Sequence, residues 1–185
     1  MNGLVTSNPF DEWLSPRGRI LQLRRGRLDD VDRFLEFERH LSPGTKYFRF
    51  GRFRDLPFTR EQTQRILDPQ SDNNLHFVVT MTENSTEEIL ASARVLFSTS
   101  SPIGELMLVV RDDWHGSGLG SRLTATLCGA TSLRGIPRVY CQVLPTNFGM
   151  QAFMPKCGFR QVHNPDNEVL LRYEKRLDCV ATPPA

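Results

Sequence analysis

The stretch V-V-R-D-D-W-H-G-S-G-L-G-S-R-L, residues 109–123, decides how the chain is to be read. An apolar strand ends at Val110, a turn follows with glycine at 116, 118 and 120, and from there Leu119, Leu123, Leu127 and Ala130 recur at helical spacing. A helix entered this way leaves its first backbone N–H groups unpaired and brings the positive end of its dipole to the same point, so the turn suits a phosphate. Gly116, Gly118 and Gly120 permit backbone angles that other residues resist and let a pyrophosphate approach the main chain. Taken alone, such a turn is equally an ordinary strand-to-helix connection. Two nucleotide-binding alternatives fail on the residues. A Walker loop needs a Gly-Lys-Ser or Gly-Lys-Thr ending, which is absent, and a Rossmann loop follows an early strand with an acidic residue about 20 positions later.

Working outward, the helix is predicted to run to about residue 133, where Gly135 and Pro137 stop it. Three strands precede the turn, at 75–82, 89–97 and 104–110, separated by the turn-rich segments 83–88 and 98–102. That is a meander. Further back, Ile20, Leu21 and Leu23 open a strand, and Asp29 offers an N-cap to a helix carrying Val31, Phe34, Leu35 and Leu41. A more polar helix is expected over 59–67. Downstream, the pattern gives a buried strand at 139–144, a helix at 147–156, and a closing hairpin from 159–162 and 169–173. The expected division is an N-terminal arm over 1–18 without regular structure, one α/β (α+β) domain over 19–177, and a tail over 178–185.

Composition sets the outer limits. A chain of 185 residues and 21.1 kDa with 39% hydrophobic content fits one buried core. Lys plus Arg number 23 against 21 acidic residues, a balance that gives no footing to a nucleic-acid partner. No apolar run approaches the ~20 residues needed to cross a bilayer, so no membrane association is expected. Cys128, Cys141, Cys157 and Cys179 show neither CxxC pairs nor metal-type histidine spacing. They read as reduced thiols in a cytoplasmic protein without a metal site.

The segment W-H-G-S-G-L-G resembles the pyrophosphate loop of the GNAT superfamily of acyl-CoA-dependent N-acyltransferases. The pattern there is Gln or Arg, two residues, Gly, one residue, then Gly or Ala. Gly118 and Gly120 match it, and His115 stands where the family usually has Gln or Arg. A second segment, T-N-F-G-M-Q-A-F-M-P-K-C-G-F at 146–159, is similar to the family's helix that opens on Asn and ends in Gly-Phe, here Gly158 and Phe159. The likeness extends over 21–173. It implies the GNAT fold, a mixed central sheet of about six or seven strands flanked by about four helices, and acetyl-CoA as co-substrate. The segments H-L-S-P-G-T-K-Y-F-R-F at 40–50 and G-E-L-M-L-V-V-R-D-D-W at 104–114 look like bacterial protein lysine acetyltransferases of the Pat type. Tyr47, Phe48 and Phe50 equally suit an aromatic contribution to the core, with Arg49 and Arg52 solvated.

Transfer to an amine requires a base, because an alkylammonium with pKa near ~10.4 is not a nucleophile. Glu105, at the start of the strand feeding the loop, is the candidate; a matching glutamate serves as general base in the GNAT lysine acetyltransferases, and a solvent-facing strand glutamate is the alternative. The usual tyrosine acid before Lys-x-Gly-Phe is missing, since Met154 stands there. Cys141 and Cys157 read as structural thiols and not as acyl carriers. Backbone groups of Leu108, Val109 and Val110 are expected to pair with the pantetheine arm as an added strand would. His115, Gly116, Ser117, Gly118, Leu119, Gly120 and Ser121 should hold the pyrophosphate. Arg111 and Arg122 are candidates to neutralise it, and the resemblance assigns Asn147 to the pantetheine. The acceptor site should lie between the loops 41–58 and 163–167. A protein lysine, for example on an acyl-CoA synthetase, is the first reading. A polyamine or aminoglycoside is the alternative, and a catalytically inactive CoA-binding regulator comes from another class. The protein is expected to act as a monomer or homodimer.

Overall fold

The computed structural model describes residues 10–50, 58–68, 72–98 and 101–178. Arg52, Cys179, the first nine residues, the tail over 181–185 and parts of the loops 41–58 and 98–102 lie outside the described residues. In chain order the strands are β1 (Asp11–Leu14), β2 (Ile20–Arg25), β3 (Asn74–Glu83), β4 (Thr86–Leu96), β5 (Ile103–Val110), β6 (Arg138–Val143), β7 (Arg160–Val162) and β8 (Leu171–Arg176). The helices are α1 (Val31–Arg39), α2 (Pro43–Phe50), α3 (Arg60–Leu67), α4 (Leu119–Leu133) and α5 (Phe148–Lys156). Among the described residues the strands form one sheet of eight in the order β1-β2-β3-β4-β5-β6-β8-β7.

Local chemistry sets most of these boundaries. Asn84 and Ser85 take positive φ (50° and 65°) and close the β3–β4 hairpin in two residues, which matches the twist of the strands they join. The turn read over 83–88 therefore shrinks to its tip, and both strands are longer than expected. Thr59 caps α3 by accepting from the Gln62 N–H while the Gln62 side chain accepts from the Thr59 N–H. At α1 the expected cap is displaced. Residues Leu28–Asp30 form a 3₁₀ turn, and Asp30 occupies the cap position with its carboxylate held by both Arg24 Nη atoms (2.6 and 2.7 Å) and by the Arg27 N–H. Burial alone would raise the Asp30 pKa; the hydrogen bonds and charge of Arg24 outweigh it and hold the carboxyl below its ordinary range.

Three other expectations change. Residues 11–14, read as part of an arm without regular structure, pair antiparallel with β2 from Asp11↔Leu23 to Leu14↔Ile20. Backbone hydrogen bonding supplies what the polar composition does not advertise. Residues 43–50, read as loop, form α2, whose first turn is tied to Asp112 across the molecule. The last strand starts at Leu171 and not at 169, because the Asn167 side chain accepts from the N–H groups of Val169 and Leu170 while Asn164 donates to the Leu170 carbonyl. Among the described residues the strand total thus rises to eight and the helices to five.

The two faces of the sheet differ. Leu106, Val139, Cys141 and Val143 join Leu119, Leu123 and Leu127 of α4 and Met154 of α5 in the larger core. On the opposite face Val78, Ile89 and Val109 pack with Val31, Phe34 and Phe37 of α1 and with Ile66 and Leu67 of α3. Alternation along β5 therefore sends Leu106 and Leu108 toward α4 and leaves Glu105, Met107 and Val109 on the α1 side. All pairings are antiparallel except β5–β6, which are parallel and meet only at Ile103↔Arg138, Gly104↔Val139 and Glu105↔Tyr140. Beyond that rung the two strands separate.

Candidate active site

The separation opens a cleft of about 780 Å³ between the free edge of β5, strand β6, the turn before α4, and helices α2 and α5. Its floor is close-packed at Gly120, where a Cβ would stand 3.3 Å from the Phe153 ring and 3.5 Å from Leu108. Gly116 (φ 73°) and Gly118 (φ 86°) are left-handed, and Gly118 is the N-cap of α4. Among the described residues, the first amide of α4 with a backbone acceptor is that of Arg122, on the Gly118 carbonyl at 3.1 Å. The amides of residues 118–121 precede it, and these residues line the cleft.

His115, Gly116, Gly118, Leu119, Gly120, Ser121, Leu108, Val109, Val110, Asn147 and Glu105 all line this one cleft. Ser117 does not; its amide and hydroxyl both donate to the Trp114 carbonyl, so the side chain closes the turn. His115 turns back on its own strand, with Nε2 2.9 Å from the Val110 carbonyl, and thereby occupies one group of the β5 edge. Asn147 caps α5 by accepting from the Met150 N–H at 3.1 Å. The two arginines read as phosphate partners are engaged elsewhere. Arg111 binds Asp113 and Glu88, while Arg122 pairs with Asp11 and stacks on Trp13 at 4.2 Å. Lys156, at the end of α5, lines the cleft instead. It stands within residues 146–159, and nothing in the spacing of that segment distinguishes it from a solvated lysine.

At the other end, Glu105 is half-buried on the last rung shared by β5 and β6. Arg49 is not solvated, as the alternative reading of α2 had it. Its Nη2 lies 3.4 Å from the Met107 sulfur, and Arg94 brings Nε to 3.3 Å from the same atom. Burial, and then the charge of Arg94, pushes the Arg49 guanidinium down to about 10. Glu105 offsets part of this for both arginines. Burial and the nearby Glu105 push the Cys141 thiol up to about 12, which removes it as a nucleophile near neutral pH. Cys157 is likewise raised, first by burial.

The second clamp on this end is Asp112. Its carboxylate accepts from the Ser42 N–H (2.9 Å), the Ser42 hydroxyl (2.7 Å) and the Thr45 hydroxyl (2.6 Å). Burial works against the charge, but these donors outweigh it and keep the carboxyl below its ordinary range. The connection fastens α2 to the segment that leads into the glycine turn. Nothing in the sequence marks Met107, Arg94 and Thr45 as neighbours, because their convergence depends on α2 crossing the edge of β5. No group of metal-ligating side chains and no helix long and apolar enough to cross a membrane occurs among the described residues.

Known proteins place this geometry. The chain is 31% identical over 144 residues to the acetyltransferase Pat of Mycolicibacterium smegmatis, a match covering 76% of this chain and 41% of that one. It therefore spans about two-fifths of that relative's length. The GNAT domain of S. lividans PAT superposes with a TM-score of 0.79 at 21% identity, covering 90% of this chain and 96% of the other. The PaiA N-acetyltransferase of Thermoplasma acidophilum, solved in complex with coenzyme A, gives 0.68 at 16% identity over 84% and 98% of the two chains. Residues 21–160 match the family described as the acetyltransferase (GNAT) domain, and the chain belongs to that family of N-acetyltransferases.

Proposed function

We propose that the protein moves the acetyl group of acetyl-CoA to the side-chain amine of a protein lysine by direct attack, with Glu105 as general base. The observation that carries this reading is the parting of β5 and β6 after Glu105↔Tyr140, which leaves one cleft with a carboxylate at one end and unpaired amides at the other. The pyrophosphate lies against the amides of residues 118–121, with Lys156 as the nearby cation. The pantetheine runs along the free edge of β5 at Leu108, because the Arg111 N–H bonds the Leu90 carbonyl and that register turns the backbone groups of Val109 toward β4. Glu105 takes a proton from the lysine ammonium, directly or through one water; the free amine attacks the thioester carbonyl, the C–S bond breaks, and the amide and CoA thiolate separate. With Met154 in place of a tyrosine, the thiolate takes its proton from water.

A protein acceptor is favoured by the Pat-like segments at 40–50 and 104–114 and by the state of the acidic residues. A polycationic small molecule needs free carboxylates at the mouth. Asp112 is spent on Ser42 and Thr45, Asp113 on Arg111, and Asp30 on Arg24. The test is incubation with labelled acetyl-CoA and, in parallel, a purified acyl-CoA synthetase, a polyamine panel and an aminoglycoside panel, each repeated with Glu105→Gln. The expected result is label on a lysine of the synthetase and a variant that still binds CoA but transfers at least ~10²-fold more slowly. Equal rates would remove Glu105 from the mechanism, and label on an amine panel alone would move the acceptor to that class.

A further inference from the structure

Tyr140 stands opposite Glu105 on the last rung that β5 and β6 share, so both side chains project from the same face where the strands part. Its ring is not free to turn. The Arg172 guanidinium lies over it at 3.8 Å, and Arg172, almost fully buried, is itself fixed by Glu174 at 2.8 Å and Asp166 at 2.7 Å. Asp166 belongs to the loop between β7 and β8, whose path is set by Asn164 and Asn167. A chain of contacts thus runs from that loop through Arg172 to the Tyr140 ring.

Building on the role proposed for Glu105, we infer that Tyr140 is a positioning residue: its hydroxyl donates to the Glu105 carboxylate and aims it into the cleft, while Arg172 holds the ring. A glutamate side chain where two strands part has several staggered rotamers, and one fixed donor selects among them. The stack explains why the donor is a tyrosine, since an aromatic face receives the guanidinium and the para position reaches the neighbouring strand. The Tyr140 hydroxyl is pushed up, first by burial and then by the Glu105 charge, as expected of a phenol that keeps its proton beside an anion. The other charges around the pair are Arg94 on β4 and Arg49 on α2, both facing Glu105, and Arg172 and Asp166, which face Tyr140.

The contact is tested apart from any acceptor by labelling tyrosine at Cζ and titrating the full chain by NMR, wild type against Glu105→Gln. The Tyr140 midpoint should fall in the variant; an unmoved midpoint overturns the contact. Function is then read in Tyr140→Phe, which keeps the ring on Arg172. Turnover should fall by about one order of magnitude with the acetyl-CoA KM within about twofold, because only an oriented base is lost. Wild-type turnover in this variant overturns the positioning role. The two readings separate cleanly. If Glu105→Gln lowers the Tyr140 midpoint yet transfers normally, the base assignment fails and the contact stands; if transfer collapses while the midpoint is unmoved, only Tyr140 is dismissed. Fluorotyrosine at 140 gives a graded check, since a stronger donor must alter turnover and an inert packing ring must not.

Discussion

The two ends of the cleft are built from different materials. The glycine turn holds its place through main-chain conformation, with Gly116 and Gly118 left-handed and the first amides of α4 unpaired within the helix. The Glu105 end consists of side chains delivered by α2, β4, β5, β6 and β8, and each depends on a neighbour for its position. A site made of amides tolerates surface change and fails when the backbone cannot adopt its angles. A site made of converging side chains fails one contact at a time and, apart from the base itself, by smaller steps.

Apart from loss of the Glu105 carboxylate itself, the largest effect should come from the backbone end. Gly118→Val places a β-branched residue at φ 86°, at a cost of about 1–3 kcal/mol in strain, and sets methyl groups where we propose that the pyrophosphate lies. The acetyl-CoA KM should rise by about tenfold or more, with the acceptor KM nearly unchanged. Steady-state kinetics with both substrates varied would show it, and equal changes in the two constants would erase the contrast between the ends.

A smaller effect is expected at the clamp. Asp112→Ala leaves the Ser42 N–H and the hydroxyls of Ser42 and Thr45 without their shared acceptor and loosens α2. The expected loss is about 1–2 kcal/mol of stability and a rise of several-fold in acceptor KM. Denaturant unfolding and acceptor kinetics check the two parts. If acetyl-CoA affinity suffers more than acceptor affinity, Asp112 serves the glycine turn and not α2.

A separate effect concerns pH and the stability of the fold, and it bears on His76, the cross-strand partner of Arg94. His76 is buried with Nε2 2.8 Å from the Ser92 hydroxyl and Nδ1 without a hydrogen-bond partner among the described residues. Burial, and then the charge of Arg94, pushes its ring down to about 3 from an ordinary 6.5. The unfolded chain therefore binds a proton in that interval that the folded chain refuses. The stability conferred by the neutral ring is complete above about pH 6.5 and is lost as pH falls toward 3, with a slope of at most about 1.4 kcal/mol per pH unit. His76→Gln should flatten the dependence of unfolding free energy on pH across that window; an unchanged slope would mean that the ring is not held neutral.

The same contrast governs what could be read before the fold was known. The strand, glycine turn and helix at 109–133 are visible because their signals are local: an apolar run, three glycines, and a stripe at helical spacing. Asn147 as cap of α5 and Thr59 at the head of α3 are legible for the same reason. Asp29 misled, because a carboxylate before a helix signals a cap, whereas the neighbouring Asp30 carboxylate is taken by an arginine on β2. Ser117 misled through proximity, since it lies in the turn but spends its polar groups inside it.

The sequence by itself determined the order of elements around the glycine turn, the family likeness and the gathering of the β5 and loop residues, all of which follow from contacts within a few residues along the chain. Only the tertiary structure decided that Arg49 and Arg94 meet at Met107, that Arg111 and Arg122 are bound to other carboxylates, and that Tyr140 faces Glu105 beneath Arg172. Those pairings join residues far apart in the chain, and their partners are fixed by sheet register and by the parting of two strands. Neither leaves a mark on composition or spacing.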